Sequence, residues 1–245
     1  MGLFRYHPLC PPPSVIKMLL PLHDDNPLRH IRFGYWTVGF ILACVLVFGY
    51  QAMMPEREGM RFVYAYGAIP SVVFGRDALP PEIARLSPYL TLVSSMFLHG
   101  GFMHLLGNML FLWVLGDNVE DALGHIRFIV FYVVCGIAAA LSHAVVDPAS
   151  QVPMIGASGA ISGVIGAYLM LHPHASIKTL VFNTIVALPA FVVLGLWIVF
   201  QIASAAFTPA GETNVAWWAH IGGFVAGAFL IVPMRQRDVP LFDRS

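Results

Sequence analysis

Four side chains in an otherwise apolar chain have the chemistry of acyl transfer. Ser158 stands in "MIGASGAISG" at 154–163, between small residues at the start of an apolar run, and His220 stands in "WWAHIGGFVAG". His104 and Asn108 lie in "HGGFMHLLGNM", four residues apart and therefore on one face of a helix. A serine hydroxyl is a weak nucleophile until a base accepts its proton, and histidine, titrating at about 6.5 when unperturbed, is the usual base. Attack on an amide carbonyl creates an oxyanion that positioned donors must stabilise, each worth about 10²- to 10³-fold in rate. Asn108 offers an NH₂ group, His104 a ring N–H, and the backbone N–H of Ser158 a third donor at a helix start. No carboxylate is at hand to orient His220, because Asp117, Glu120 and Asp121 fall at the far end of the segment that carries Asn108. The set reads as a Ser–His dyad. A zinc route is excluded because H-E-x-x-H is missing, and an aspartyl route because no pair of aspartates lies within the apolar segments.

Positioning these residues falls to membrane helices. The chain has 245 residues, 58% hydrophobic and 11% charged, against roughly 25% charged in average soluble domains. Net charge is zero, which points to no nucleic-acid partner. Cys10, Cys44 and Cys135 are too scattered for a disulfide framework or a metal site, and no cofactor motif is present. A spanning helix needs about 20 apolar residues, and six candidates occur, at 33–54, 102–121, 126–146, 154–172, 179–203 and 215–234. The fold expected is all-α, a polytopic bundle of six transmembrane helices. The second, fourth and sixth segments cross in the same direction, and each carries its polar group near its N-terminal end. His104, Asn108, Ser158 and His220 therefore share one depth. Singly each has a bland reading: small packing serines such as Ser142, Ser162 and Ser204 are common in membrane helices, and GxxxG spacing reports only close helix contact. Ionisable groups gathered at one level mark function instead.

The remaining parts follow from charge and proline. Residues 1–32 hold six prolines and read as a flexible arm, and 235–245 as a short tail. Lys and Arg crowd the arm, the tail and the loops after the second and fourth segments, so both termini are placed in the cytoplasm, in a bacterial plasma membrane. The first loop, 55–101, is long yet apolar, with prolines at 70, 80, 81 and 88, and is expected to form short segments in the outer interface.

Together these motifs resemble the rhomboid family of intramembrane serine proteases over about residues 89–230. "GASG" at 156–159 is similar to the family's nucleophile motif, implying Ser158 as nucleophile with Gly156 and Gly159 as packing residues. "AHIGGFVAG" at 219–227 resembles its last-helix motif, implying His220 as base and Gly223 and Gly227 as the contact with the fourth helix. "HGGFMHLLGN" implies His104 and Asn108 as oxyanion residues, and "GDNVEDALG" at 116–124 implies Glu120 as a hydrogen-bonding brace. Two departures stand out: Leu90 and Thr91 replace a Trp-Arg pair found in many members, and Ser162 replaces an aromatic that stacks on the catalytic histidine in several. The resemblance implies single-span transmembrane proteins as substrates, the lipid bilayer as medium, and a lateral gate and lid at the fifth helix and residues 204–216. The competing readings are a catalytically silent rhomboid-like module that binds membrane proteins, and a small transporter. Nothing in the sequence fixes the oligomeric state.

Overall fold

The computed structural model describes residues 20–207 and 216–243; residues 1–19 of the expected arm and 208–215 of the expected lid lie outside them. In chain order the elements are β1 (Leu20–Asp24), α1 (Tyr35–Ala52), α2 (Glu56–Tyr66), α3 (Pro70–Val73), α4 (Pro88–Ser94), a 3₁₀ turn (Ser95–Phe97), α5 (Phe102–Leu123), α6 (His125–Val146), α7 (Ser158–Leu171), β2 (Ser176–Val181), β3 (Thr184–Pro189), α8 (Ala190–Phe207) and α9 (Trp217–Met234). Among the described residues α1, α6, α8 and α9 are long and apolar enough to cross a membrane. A fifth span is α5 taken together with the helical stretch Pro88–Phe97, from which it is bent by 84°. The helix carrying Ser158 has 14 residues, about 21 Å at 1.5 Å per residue, less than the ~30 Å hydrocarbon thickness. Its late start has a local cause: Met154 is drawn into an antiparallel bridge with Ala68, and Gly156 turns the chain at φ 122°. Large apolar side chains such as Leu46, Ile126, Val199 and Phe229 are exposed around the outer helices, the surface that hydrocarbon would cover.

α7 is the axis of the bundle. It lies against α9, α6 and α5, and Gly159, Ala160, Ile161, Ser162, Gly163, Val164, Ile165, Gly166, Ala167 and Tyr168 are all buried. Its glycines bring backbones into contact. A Cβ at Gly223 would overlap the carbonyl oxygen of Gly159, one at Gly227 that of Gly163, and one at Gly166 that of Phe224. On the other side of α7, a Cβ at Gly159 would lie 2.6 Å from that of Ala139 on α6.

Two expectations need correction. The segment 179–203 is not one helix: β2 and β3 form an antiparallel hairpin joined at Phe182 and Asn183, and α8 begins only at Ala190. β-branched residues at Ile177, Thr179, Val181, Thr184, Ile185 and Val186 favour strand, Phe182 adopts φ 55° at the turn, and Pro189 closes β3 before the helix. The second correction is the arm, which is tied down from residue 20 onward. β1 pairs with β2 to complete a three-stranded sheet in the order β1-β2-β3. Beyond it, the backbone N–H groups of Arg29, His30 and Ile31 donate to the Asp121 carboxylate at 3.0, 2.6 and 2.6 Å. Asp24 accepts from Tyr168 Oη and Asn118 Nδ2, each at 2.8 Å.

Two predictions follow from this packing. Gly227→Val forces side-chain carbons into the Gly163 backbone, an overlap that cannot relax by a rotamer change and should cost more than about 3 kcal/mol. A thermal melt in detergent should show loss of the folded protein, while Gly195→Ala on α8, where a Cβ meets nothing, stays within about 1 kcal/mol of wild type or gains. The second concerns pH. Burial pushes the Asp24 carboxyl up to about 6, and the hydrogen bond to Asp121 holds His30 above its ordinary 6.5. Both values lie above their unfolded counterparts, so the docked arm binds more protons than the released arm and docking weakens as pH rises. Asp24's share is full below 3.8 and fades as pH passes about 6, and His30's is full below 6.5 and is lost above its raised value. Amide exchange at Arg29, His30 and Ile31, corrected for intrinsic rates, should show greater protection at pH 5 than at pH 8.

Candidate active site

Ser158 is the first residue of α7, and His220 sits in the first turn of α9. The glycine contacts set the two helices close enough for Ser158 Oγ to lie 2.9 Å from His220 Nε2. The other ring nitrogen, Nδ1, is 2.7 Å from Oε1 of Gln201, a residue of α8 that is only 4% exposed. The carboxamide oxygen can only accept, so Nδ1 carries the proton and Nε2 presents a lone pair to the serine hydroxyl. Ser158 donates, and the arrangement is poised for proton transfer from Oγ to Nε2.

His104 and Asn108 occupy the first two turns of α5 and converge on the chain just before Ser158. A Cβ at Gly156 would lie 2.8 Å from His104 Nε2 and 3.7 Å from Asn108 Nδ2, so glycine there keeps open a space that both nitrogens face. The N–H of Gly100 approaches His104 Nδ1 at 3.4 Å, which leaves Nε2–H of that ring as the free donor. Asn108 is buried, and its Nδ2 has no hydrogen-bond partner among the described residues. The N–H groups that open α7 have no acceptor within their own helix. Two donors, His104 Nε2 and Asn108 Nδ2, thus lie around the space that Gly156 keeps open, two residues before a hydroxyl in hydrogen-bond contact with an imidazole. Donors placed in this way can stabilise negative charge on a carbonyl oxygen.

Ring packing around His220 does not come from α7. Ser162, one turn after Ser158, is fully buried and returns its hydroxyl to the Ser158 carbonyl at 2.6 Å. Trp197 of α8 and Trp217 of α9 flank the imidazole instead, with ring centroids at 5.9 and 6.2 Å. Trp197 also meets Phe111 of α5 at 6.3 Å, closing the side of the site between α5 and α8. His99, 2% exposed, lies with its ring 5.3 Å from His104, and neither of its ring nitrogens has a hydrogen-bond partner among the described residues.

Glu120 lies at the other end of α5 from this group. It is fully buried and accepts from Trp36 N at 3.1 Å, Thr37 N at 2.8 Å and Thr37 Oγ1 at 2.9 Å, with His125 Nδ1 at 2.6 Å. Gly34 offers α1 no side-chain cap, so the Glu120 carboxylate caps that helix from across the bundle and meets the positive end of its dipole. Sequence reasoning passed over Gln201, Asp121 and the pair Asp24–Asn118. The signal for Gln201 was there: a lone amide within "LWIVFQIA", an otherwise apolar run. Among the described residues no cluster of three or more metal-ligating side chains occurs.

Comparison with known proteins adds the family. A profile described as "Rhomboid domain" matches residues 87–237. The chain is similar to RHOMBOID-like protein 5 of Arabidopsis thaliana, 35% identical over 191 residues, which cover 76% of this chain and 57% of that protein. It is similar to YdcA of Bacillus subtilis, 32% identical over 223 residues, with 88% and 98% covered. Rhomboid protease GluP of Bacillus subtilis is 32% identical over 141 residues, 56% of this chain and 24% of that one. The chain thus spans less than two thirds of the plant relative and nearly the whole of YdcA.

The two polar ends of α5 should respond oppositely to truncation. Asn108→Ala removes an unpaired buried amide, so the melting temperature in detergent should fall by no more than about 2 °C or rise. Glu120→Ala strands three backbone and side-chain donors and should cost about 2–4 kcal/mol, with early loss of α1 helicity.

Proposed function

Because the chain belongs to the rhomboid family, we propose that it is an intramembrane serine endopeptidase, with Ser158 as nucleophile, His220 as general base and acid, and His104 and Asn108 as oxyanion donors. The observation that carries this reading is the 2.9 Å contact between Ser158 Oγ and His220 Nε2, set beside an Asn108 Nδ2 with no partner among the described residues. A buried donor left unsatisfied costs about 1–3 kcal/mol, and a transition-state oxyanion is the ligand that would repay it.

Chemistry on these groups proceeds in two halves. Ser158 Oγ attacks the substrate carbonyl carbon while its proton passes to His220 Nε2, and the carbonyl oxygen becomes an oxyanion facing Asn108 Nδ2, His104 Nε2 and the N–H of Ser158. The C–N bond then breaks, His220 returns the proton to the departing amine, and an ester to Ser158 remains. Water attacks that ester as His220 takes its proton, and on collapse of the second oxyanion His220 passes that proton to Ser158 Oγ, releasing the carboxylic acid, which ionises in water, and restoring the serine.

The substrate in this proposal is a single-span transmembrane protein entering from the bilayer between α5 and α8. Helical carbonyls are hidden in hydrogen bonds, so the segment to be cut must unwind, and glycine or proline in it lowers that cost by about 1–3 kcal/mol. Parting the contact between Phe111 and Trp197 opens the route. The six-span topology, the cytoplasmic termini and a site near the outer face belong to this same reading, supported by the common N-terminal placement of His104, Ser158 and His220 on helices running in one direction.

Cleavage of a reporter transmembrane helix by the reconstituted protein tests the proposal. Wild type should release product, and Ser158→Ala and His220→Ala should each reduce the rate by at least about 10³-fold while retaining fold. A fluorophosphonate probe should label wild type and not Ser158→Ala. A folded wild type that neither cleaves several reporters nor takes the probe would instead favour the silent membrane-protein-binding module.

A further inference from the structure

We infer that Gln201 is a positioning residue of the dyad, the acceptor that holds His220 in the tautomer able to act as base and takes the place that a carboxylate fills in a triad. This inference rests on the enzymatic reading above. Gln201 and Trp197 are four residues apart on α8 and so face the same way, and His220 meets both: the amide oxygen at 2.7 Å and the indole ring at 5.9 Å. Ser162 leaves α7 with no ring to place against the imidazole, since its hydroxyl is spent on the Ser158 carbonyl. The restraint on His220 therefore comes from the neighbouring helix.

Direction of the hydrogen bond decides the chemistry. With Oε1 accepting, Nδ1 carries the proton, Nε2 is a free lone pair, and the ring can take the Ser158 proton. As the ring becomes cationic, its Nδ1–H bond to the amide oxygen strengthens, because a charged donor makes the stronger bond. With the amide turned the other way, its NH₂ would donate to Nδ1, the proton would move to Nε2, and the ring would donate to Ser158 Oγ, leaving no base for the hydroxyl proton. Only the first arrangement matches the Ser158–His220 contact as an activating one. The other titratable groups near the ring are His104 of α5 and His143 of α6. Neither is a carboxylate, so no second acceptor competes with Gln201 for Nδ1 among the described residues.

The test compares wild type with Gln201→Leu and Gln201→Glu in liposomes. Four readouts are used: kcat and KM on a reporter span, the fluorophosphonate labelling rate, the pH midpoint of kcat, and ¹⁵N shifts of the His220 ring. Gln201→Leu should lower kcat by about 10- to 100-fold, the range for a hydrogen bond to a charged partner, with KM changed less than about 3-fold and labelling slowed in parallel with kcat. Its acid limb should move to lower pH, because the imidazolium has lost an acceptor. Gln201→Glu keeps an acceptor, so it should restore kcat to within about 5-fold of wild type and move the limb to higher pH. A role in packing or in substrate access alone would change KM or melting temperature and leave labelling and the pH midpoint where they were. The inference is overturned if folded Gln201→Leu matches wild type in kcat, labelling and midpoint. Should wild type itself prove inert towards reporter and probe, the enzymatic reading fails, and the ring shifts still decide the positioning. An Nδ1–H tautomer in wild type that is lost in Gln201→Leu supports it, and an Nε2–H tautomer in wild type refutes it.

Discussion

The close approach of α7 to α9 is the constraint on which the rest depends. Side chains on both helices normally hold axes 8–10 Å apart, and without a hydrophobic force between helices in lipid, only small residues let backbones touch. Here carbonyl oxygens of Gly159 and Gly163 occupy the volumes that Cβ atoms of Gly223 and Gly227 would fill. Ser158 and His220 are both short-reaching from their backbones, so their 2.9 Å contact depends on that approach. α6 presses from the other side: a Cβ at Gly163 would crowd Cys135, and one at Gly222 would overlap Ser142. Ser158 is therefore held by backbone surfaces, which have fewer ways to yield than side chains.

Charge is distributed with the same economy. The described buried carboxylates Glu120, Asp121 and Asp24 gather at the end of the bundle away from Ser158, each satisfied by several donors: backbone N–H groups for Asp121, backbone and side-chain groups for Glu120, and side chains for Asp24. Glu120 caps α1 and Asp121 clasps the strand of chain that leads into it, so two adjacent residues of α5 fix the start of the first spanning helix. A carboxylate costs several kcal/mol to bury unless its lone pairs are filled, and a helix start or a turn supplies the backbone amides that fill them. The same end takes the sheet and the C-terminal residues, where Gln236 N reaches the Ala122 carbonyl at 2.9 Å. Polar backbone collects where water is near, and the helices between remain apolar.

How much of this was legible in the sequence depended on period and length. Helices α1, α6 and α9 were readable within a few residues because their apolar runs match a membrane span and end at glycine, aspartate or arginine. The stretch 179–189, most of the hairpin 176–189, was misread as the beginning of a span. Hydropathy sums residue type over a window and cannot see that six β-branched residues in fourteen prefer strands, nor that Phe182 turns the chain. The arm was read as loose because its prolines disfavour helix. Its docking depends on Asp121 and Tyr168, more than 90 and 140 residues away in sequence, and local pattern carries no such information. Shared depth did bring together His104, Asn108, Ser158 and His220, since position along parallel helices is a one-dimensional property. Gln201 escaped that argument because it lies near the C-terminal end of the fifth segment, and only the N-terminal ends of the second, fourth and sixth were compared.

That an amide and not an acid lies behind His220 follows from where the site sits. A carboxylate 2.7 Å from the imidazole in an apolar surrounding would have Nδ1–H as its main donor, because the other donors near the site are aimed elsewhere. His104 and Asn108 face the space beside Gly156, and turning either toward an acid at position 201 would remove it from the oxyanion. An amide carries a directional acceptor with no net charge, so it fixes the tautomer at a desolvation cost of about 1–3 kcal/mol in place of the several kcal/mol of an ion. Less charge also means less stabilisation of the imidazolium, which in the proposed mechanism keeps His220 weak enough as a base to release its proton to the departing amine. In a bundle that must keep its polar groups few, the weaker acceptor is the one consistent with leaving every other donor free for the oxyanion.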